Sequence, residues 1–67
     1  MITEIGIAAG DIWHRLDEKG SATLDELVRS IKKPRELLLM SLGWLAREGH
    51  IVLGDAQTGF RASLAKS

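Results

Sequence analysis

Sixty-seven residues make one domain at the small end of what folds without staples, so most apolar side chains must share one core and little surface is left for an enzyme cleft. With no cysteine there is neither a disulfide framework nor a thiolate metal site, and no apolar run approaches the length that spans a bilayer. Nine basic residues cancel nine acidic ones, so the whole molecule has no net field to gather nucleic acid from a distance, which counts against avid DNA binding.

From Ile2 to Lys19 the apolar positions Ile5, Ala9, Ile12 and Leu16 recur at helical spacing, with Trp13 beside them and Gly20 as the stop. This is the first helix. Gly6 and Gly10 lie one turn apart on it, each costing up to about 1 kcal/mol against alanine, and close packing of a neighbouring element is the expected reason for them. A membrane role for this glycine pair fails because Asp11 follows and the apolar run is short.

Ser21-Ala22-Thr23 is long enough only for a bridge of strand. Thr23-x-x-Glu26 is a capping box, and it opens a second helix through Leu24, Leu27, Val28 and Ile31 that ends near Lys32. The tight Lys32-Lys33 connection precedes Pro34, and proline disfavours a helical Lys33, so the next helix must start at an angle.

The third helix runs from Pro34, which suits a first turn because it has no N–H to lose, to Gly49, which suits the left-handed position past the end. At about 100° per residue Leu38, Leu42 and Leu45 form one inward stripe. The outward side then carries Glu36, Met40, Gly43 and Arg47, flanked by Leu37, Leu39 and Trp44. After Gly49, His50-Ile51-Val52-Leu53 reads as a strand, Gly54 to Gly59 as a turn, and Phe60, Ala62 and Leu64 as the buried side of a returning strand. Only Ala65-Lys66-Ser67 looks like a loose end.

The order helix, bridge, helix, helix, strand, loop, strand is that of a winged helix-turn-helix domain: mainly α with a β-hairpin wing, three helices plus a short three-stranded sheet, in one domain over residues 1–67. The spacing Leu42-x-x-Leu45-x-x-x-Gly49-His50-Ile51 is the one with which a recognition helix commonly enters a wing. Ile5-Gly6-x-x-Ala9-Gly10-x-Ile12-Trp13 and Leu42-Gly43-Trp44-Leu45-Ala46-Arg47-Glu48-Gly49 resemble a family of small stand-alone bacterial and archaeal winged helix-turn-helix proteins without an assigned function. The resemblance covers nearly the whole chain and implies a nucleic-acid-binding module.

Direct readout needs Arg, Lys, Asn or Gln aimed at base edges, and on the outward side of the third helix only Arg47 offers the fork that guanine favours. Although the chain is neutral, residues 32–48 carry Lys32, Lys33, Arg35 and Arg47 against Glu36 and Glu48, a local net charge of plus two, while residues 1–20 sum to minus two. Lys32, Lys33 and Arg35 cluster at the turn, where they meet phosphates or simply stay solvated, and Arg61 adds a cation on the wing. The candidate nucleic-acid contacts are therefore Lys32, Lys33, Arg35, Arg47 and Arg61. The wing tip, Asp55-Ala56-Gln57-Thr58-Gly59, has an acid and no base, the reverse of what a minor-groove wing wants.

A rival expectation is a protein-interaction module, a homodimer or a partner complex, that docks through Met40, Gly43 and Trp44 on the third helix. Gly43 fits either a close approach by such a partner or crowding by Trp44 or the wing of the same molecule. Catalysis and metals are not expected. His14 and His50 have no second ligand at usable spacing, and Asp17-Glu18 and Asp25-Glu26 are adjacent acids that diverge on a helix and are expected to cap or be solvated. No phosphate loop or nucleophile motif is present, and Trp13 and Trp44 read as core or interface anchors. The expectation is a cytoplasmic protein with no cofactor, no small-molecule substrate and no membrane partner.

Overall fold

The computed structural model of the protein describes residues 1–57 and 59–65. Thr58 of the expected wing tip, and Lys66 and Ser67 of the expected loose end, lie outside these residues. The elements are α1 (Ile2–Lys19), β1 (Ser21–Thr23), α2 (Leu24–Ile31), α3 (Arg35–Arg47), β2 (Ile51–Ala56) and β3 (Gly59–Leu64). The strands form one antiparallel sheet in the order β1-β3-β2. This is the winged-helix arrangement the sequence led one to expect.

Each helix begins and ends for a local reason. Gly20, at φ 88°, closes α1 by donating its N–H to the Leu16 carbonyl. The capping box of α2 is complete: Glu26 N–H donates to Thr23 Oγ1 at 3.2 Å, and Thr23 N–H donates back to Glu26 Oε1 at 2.8 Å. The Glu26 carboxyl is held below its ordinary range chiefly by that Thr23 backbone donor, with smaller help from the Thr23 hydroxyl, Arg61 and Arg29 against the cost of desolvation. Lys32 ends α2 in the left-handed region, at φ 60° and ψ 42°, with its N–H on the Val28 carbonyl. Pro34 stands one residue before α3 rather than in its first turn: its extended backbone and its carbonyl, which accepts from Leu38 N–H, make it the cap.

The core is one cluster. Ala8, Ala9, Ile12 and Leu16 of α1, Leu27 of α2, and Leu38, Leu42 and Leu45 of α3 are buried together with Ala22, Ile51 and Ala62 of the sheet. Ile5 is only half-buried, and Ala8 takes the place on the stripe that Ile5 was expected to fill. Ser41 is also buried, and periodicity of apolar residues could not mark it. Its hydroxyl lies 2.8 Å from the Leu37 carbonyl oxygen and 3.2 Å from that of Ile5, so a small polar side chain lets α3 approach α1 with its proton satisfied.

Several expectations are corrected here. Trp13 and Trp44 are both exposed, so neither anchors the core. A Cβ added at Gly6, Gly10 or Gly43 would meet nothing within 4 Å. No neighbouring element packs on the α1 glycines, and among the described residues the wing does not crowd Gly43. The hairpin is longer than the turn-rich composition of residues 54–59 suggested: Gly54 pairs with Arg61, Asp55 with Phe60 and Ala56 with Gly59. Ladder hydrogen bonding overrides the weak strand propensity of Gly54 and Asp55, so Asp55 lies in β2 and not in the tip.

Candidate nucleic-acid interface

The five cations singled out in the sequence occupy two different electrostatic settings. Lys33 Nζ lies 3.5 Å from Asp11 Oδ2 of α1, Arg35 Nη1 lies 2.7 Å from Asp25 Oδ1 of α2, and Arg61 Nη2 lies 3.6 Å from Glu26 Oε1 while Nη1 donates to Ser21 Oγ at 3.0 Å. These three are held by the molecule's own acids. Among the described residues, Lys32 and Arg47 have no ion-pair partner, and both are exposed. The basic cluster at the turn is therefore less free than its composition suggested. Sequence reading missed this because Asp11, Asp25 and Glu26 belong to other elements, which only the fold brings to the turn.

The helix-turn-helix angle positions what remains. The left-handed Lys32 reverses the chain at the end of α2, and Pro34 starts α3 in a new direction, so Lys32 sits at the corner. One helix length away, Arg47 ends α3 on the side opposite the buried Leu38, Ser41, Leu42 and Leu45. The face between them is Glu36, Met40 and Gly43, all exposed, and among the described residues no other element covers it. In this strip and on either side of it the apolar residues stay open: Met40 is 43% exposed, Leu39 49% and Trp44 47%.

Arg47 is thus the one side chain here with the fork geometry for guanine, and Lys32 is a point charge suited to phosphate. The intervening strip offers apolar surface at Met40 and Gly43 and one carboxylate, Glu36, which repels phosphate and can accept only from a base donor such as the cytosine amino group. Met40, Gly43 and Trp44 come together on or beside the same open face. On the wing, Arg61 sits midway along the hairpin, opposite Gly54, and its guanidinium is turned to Glu26 and Ser21. Among the described residues no group of three His, Asp or Glu side chains converges in a way that would hold a metal, and no helix is long and apolar enough to cross a membrane.

Against this geometry the comparisons with known proteins can be set. No curated protein matches the chain. Among solved structures it is similar to the solution NMR structure of protein BT2368 from Bacteroides thetaiotaomicron, at 29% sequence identity and a TM-score of 0.81, over 92% of this chain and 76% of that one. A family described as a winged helix-turn-helix domain (DUF2582) matches residues 1–61. Fold, element order and family match agree, and the chain belongs to this winged helix-turn-helix family.

Proposed function

We propose that this protein is a duplex-DNA-binding module that lays the outward face of α3 into the major groove with few charged contacts and little sequence readout. The observation that carries this reading is the uncovered face itself: Glu36, Met40 and Gly43 lie open between the unpaired cations Lys32 and Arg47. Lys32 meets a phosphate at the turn, Arg47 reaches a base edge or a second phosphate, and Gly43 lets the backbone approach the groove wall. Lys33, Arg35 and Arg61 join only by exchanging a carboxylate for a phosphate, an exchange that exposed ion pairs worth about 0–1 kcal/mol permit. A role in transcription regulation follows from the same face if a site is read at all.

The test is fluorescence anisotropy with a generic duplex at several salt concentrations. Each phosphate contact lowers the slope of log affinity against log salt by about 0.9, so two unpaired cations give a slope near about −2 and all five a slope near about −4.5. Absence of binding at the lowest salt overturns the reading.

A second reading is favoured by one observation, the exposure of Leu39, Met40 and Trp44 together on one helix. On this reading α3 docks a protein partner through Met40, Gly43 and Trp44 instead of DNA. Binding that is insensitive to salt and lost in Trp44→Ala separates it from the first.

A further inference from the structure

The sheet has two edges, and they are treated differently. β1 ends one side after three residues, short enough to offer almost no ladder, whereas β2 ends the other with six residues, Ile51–Ala56. Natural edge strands are usually blunted by lysine, proline, a bulge or brevity. β2 has none of these and a single charge, Asp55, near its far end: it contains no basic residue and no proline, its pairing with β3 is continuous, and Val52 and Leu53 are 53% and 43% exposed.

The ladder fixes which backbone groups that edge presents. Ala65 N–H donates to the His50 carbonyl, so His50 and Ala65 form a hydrogen-bonded pair, and the antiparallel alternation assigns Val52, Gly54 and Ala56 to β3 as well. Ile51, Leu53 and Asp55 therefore turn their N–H and C=O groups outward. These three positions are self-complementary under a two-fold axis through Leu53. Leu53 meets Leu53 of a second copy, and Ile51 meets Asp55 in both directions, exchanging about six hydrogen bonds in all. A slip of two residues either way loses one of the three pairs.

The side chains agree with this register. Val52 falls opposite Gly54 of the second copy, where no side chain obstructs it, and the two Leu53 side chains cover each other on the face that Ala62 shares. Asp55, the single charged residue of β2, meets Ile51 and stays about four residues from its own counterpart; a parallel pairing in register would set acid against acid. The zero net charge of the chain leaves no overall repulsion between copies. We infer that two copies of this protein associate through antiparallel β2–β2 pairing centred on Leu53, making one continuous six-stranded sheet. This contact uses the wing edge and is independent of the outward face of α3.

The test is sedimentation of the whole protein over a concentration series, with Leu53→Lys and Leu53→Glu measured singly and then mixed. The wild type is expected to dimerise, each charged variant to weaken the dimer at least about tenfold by setting like charges across the axis, and the equimolar mixture to recover a heterodimer. Circular dichroism checks that each variant keeps its fold, which the exposure of Leu53 favours. Hydrogen exchange gives a second readout, in which the Ile51, Leu53 and Asp55 amides gain protection with concentration. A wild type that stays monomeric at millimolar concentration overturns the inference. So does a dimer that both Leu53 variants leave intact, or amides of β2 whose exchange ignores concentration.

Discussion

Arg35 reaches across the corner of the helix-turn-helix to Asp25, Nη1 to Oδ1 at 2.7 Å, so a cation at the start of the third helix is committed to an acid at the start of the second. Both side chains are exposed, and the pair is expected to contribute little to stability. Its larger consequence is for charge: it removes a guanidinium from the surface that faces a phosphate backbone. Asp25→Asn should therefore leave thermal stability within about 1 kcal/mol while raising affinity for duplex DNA a few-fold at low salt and steepening the salt slope by about 0.9. Anisotropy titrations at three salt concentrations check this, and an unchanged slope would show that Arg35 takes no part.

Lys32 separates binding from stability in an unusual direction. It holds a left-handed backbone, at φ 60°, that costs a non-glycine residue roughly 1 kcal/mol. Lys32→Gly is expected to stabilise the fold by up to about that amount and at the same time to weaken DNA binding and flatten the salt slope by about 0.9. Thermal melts and anisotropy on the same preparation read both; a variant that is more stable and binds equally well removes Lys32 from the interface.

Two glycines of the α3 region should respond oppositely to the same substitution. Gly43 lies in the helix with open space where a Cβ would go, so Gly43→Ala should stabilise by about 0.5–1 kcal/mol. Gly49 sits at φ 79°, beyond the helix end, where alanine is strained, so Gly49→Ala should destabilise by about 1 kcal/mol. Denaturant melts decide it. If Gly43→Ala also weakens DNA binding despite its greater stability, the groove wall approaches that backbone closely.

Acid should loosen the capping box of α2. The Thr23 backbone donor holds the Glu26 carboxyl below its ordinary 4.5, so the folded state binds this proton more weakly than the unfolded chain does. The stabilisation is then fully present at neutral pH, starts to fade as the pH drops through 4.5, and is gone below the folded value. Glu26→Gln keeps a partner for Thr23 N–H without the ionisation. The stability difference between wild type and Glu26→Gln should shrink on acidification below pH 4.5, as denaturant melts at pH 7, 4.5 and 3 would show.

How far the sequence could be read depended on whether a feature was local. Capping by Thr23 and Glu26, the Gly20 and Gly49 stops, and the Leu38, Leu42 and Leu45 stripe are set within a few residues, and the structure holds each of them. Features set by distant neighbours were not visible. The Ser41 hydroxyl is buried because the Ile5 carbonyl of α1 meets it, and Lys33 and Arg35 lose their freedom to acids that the fold carries to the turn. The hairpin outran the turn expected at Gly54 because pairing with Arg61 and Phe60 outweighs local propensity. Of the core and interface readings of the tryptophans, exposure removes the core one, because apolar character beside a stripe does not tell a core position from its open shoulder.

The claim on which the functional account depends is that the outward side of α3 is the surface that meets DNA. The most direct measurement is a titration of isotopically labelled protein with a short generic duplex at low salt, followed residue by residue through its amide NMR signals. Shifts are expected at Lys32, Glu36, Met40, Gly43 and Arg47, reversing when salt is added. Signals that stay unmoved throughout the titration, or shifts restricted to the sheet, would contradict it.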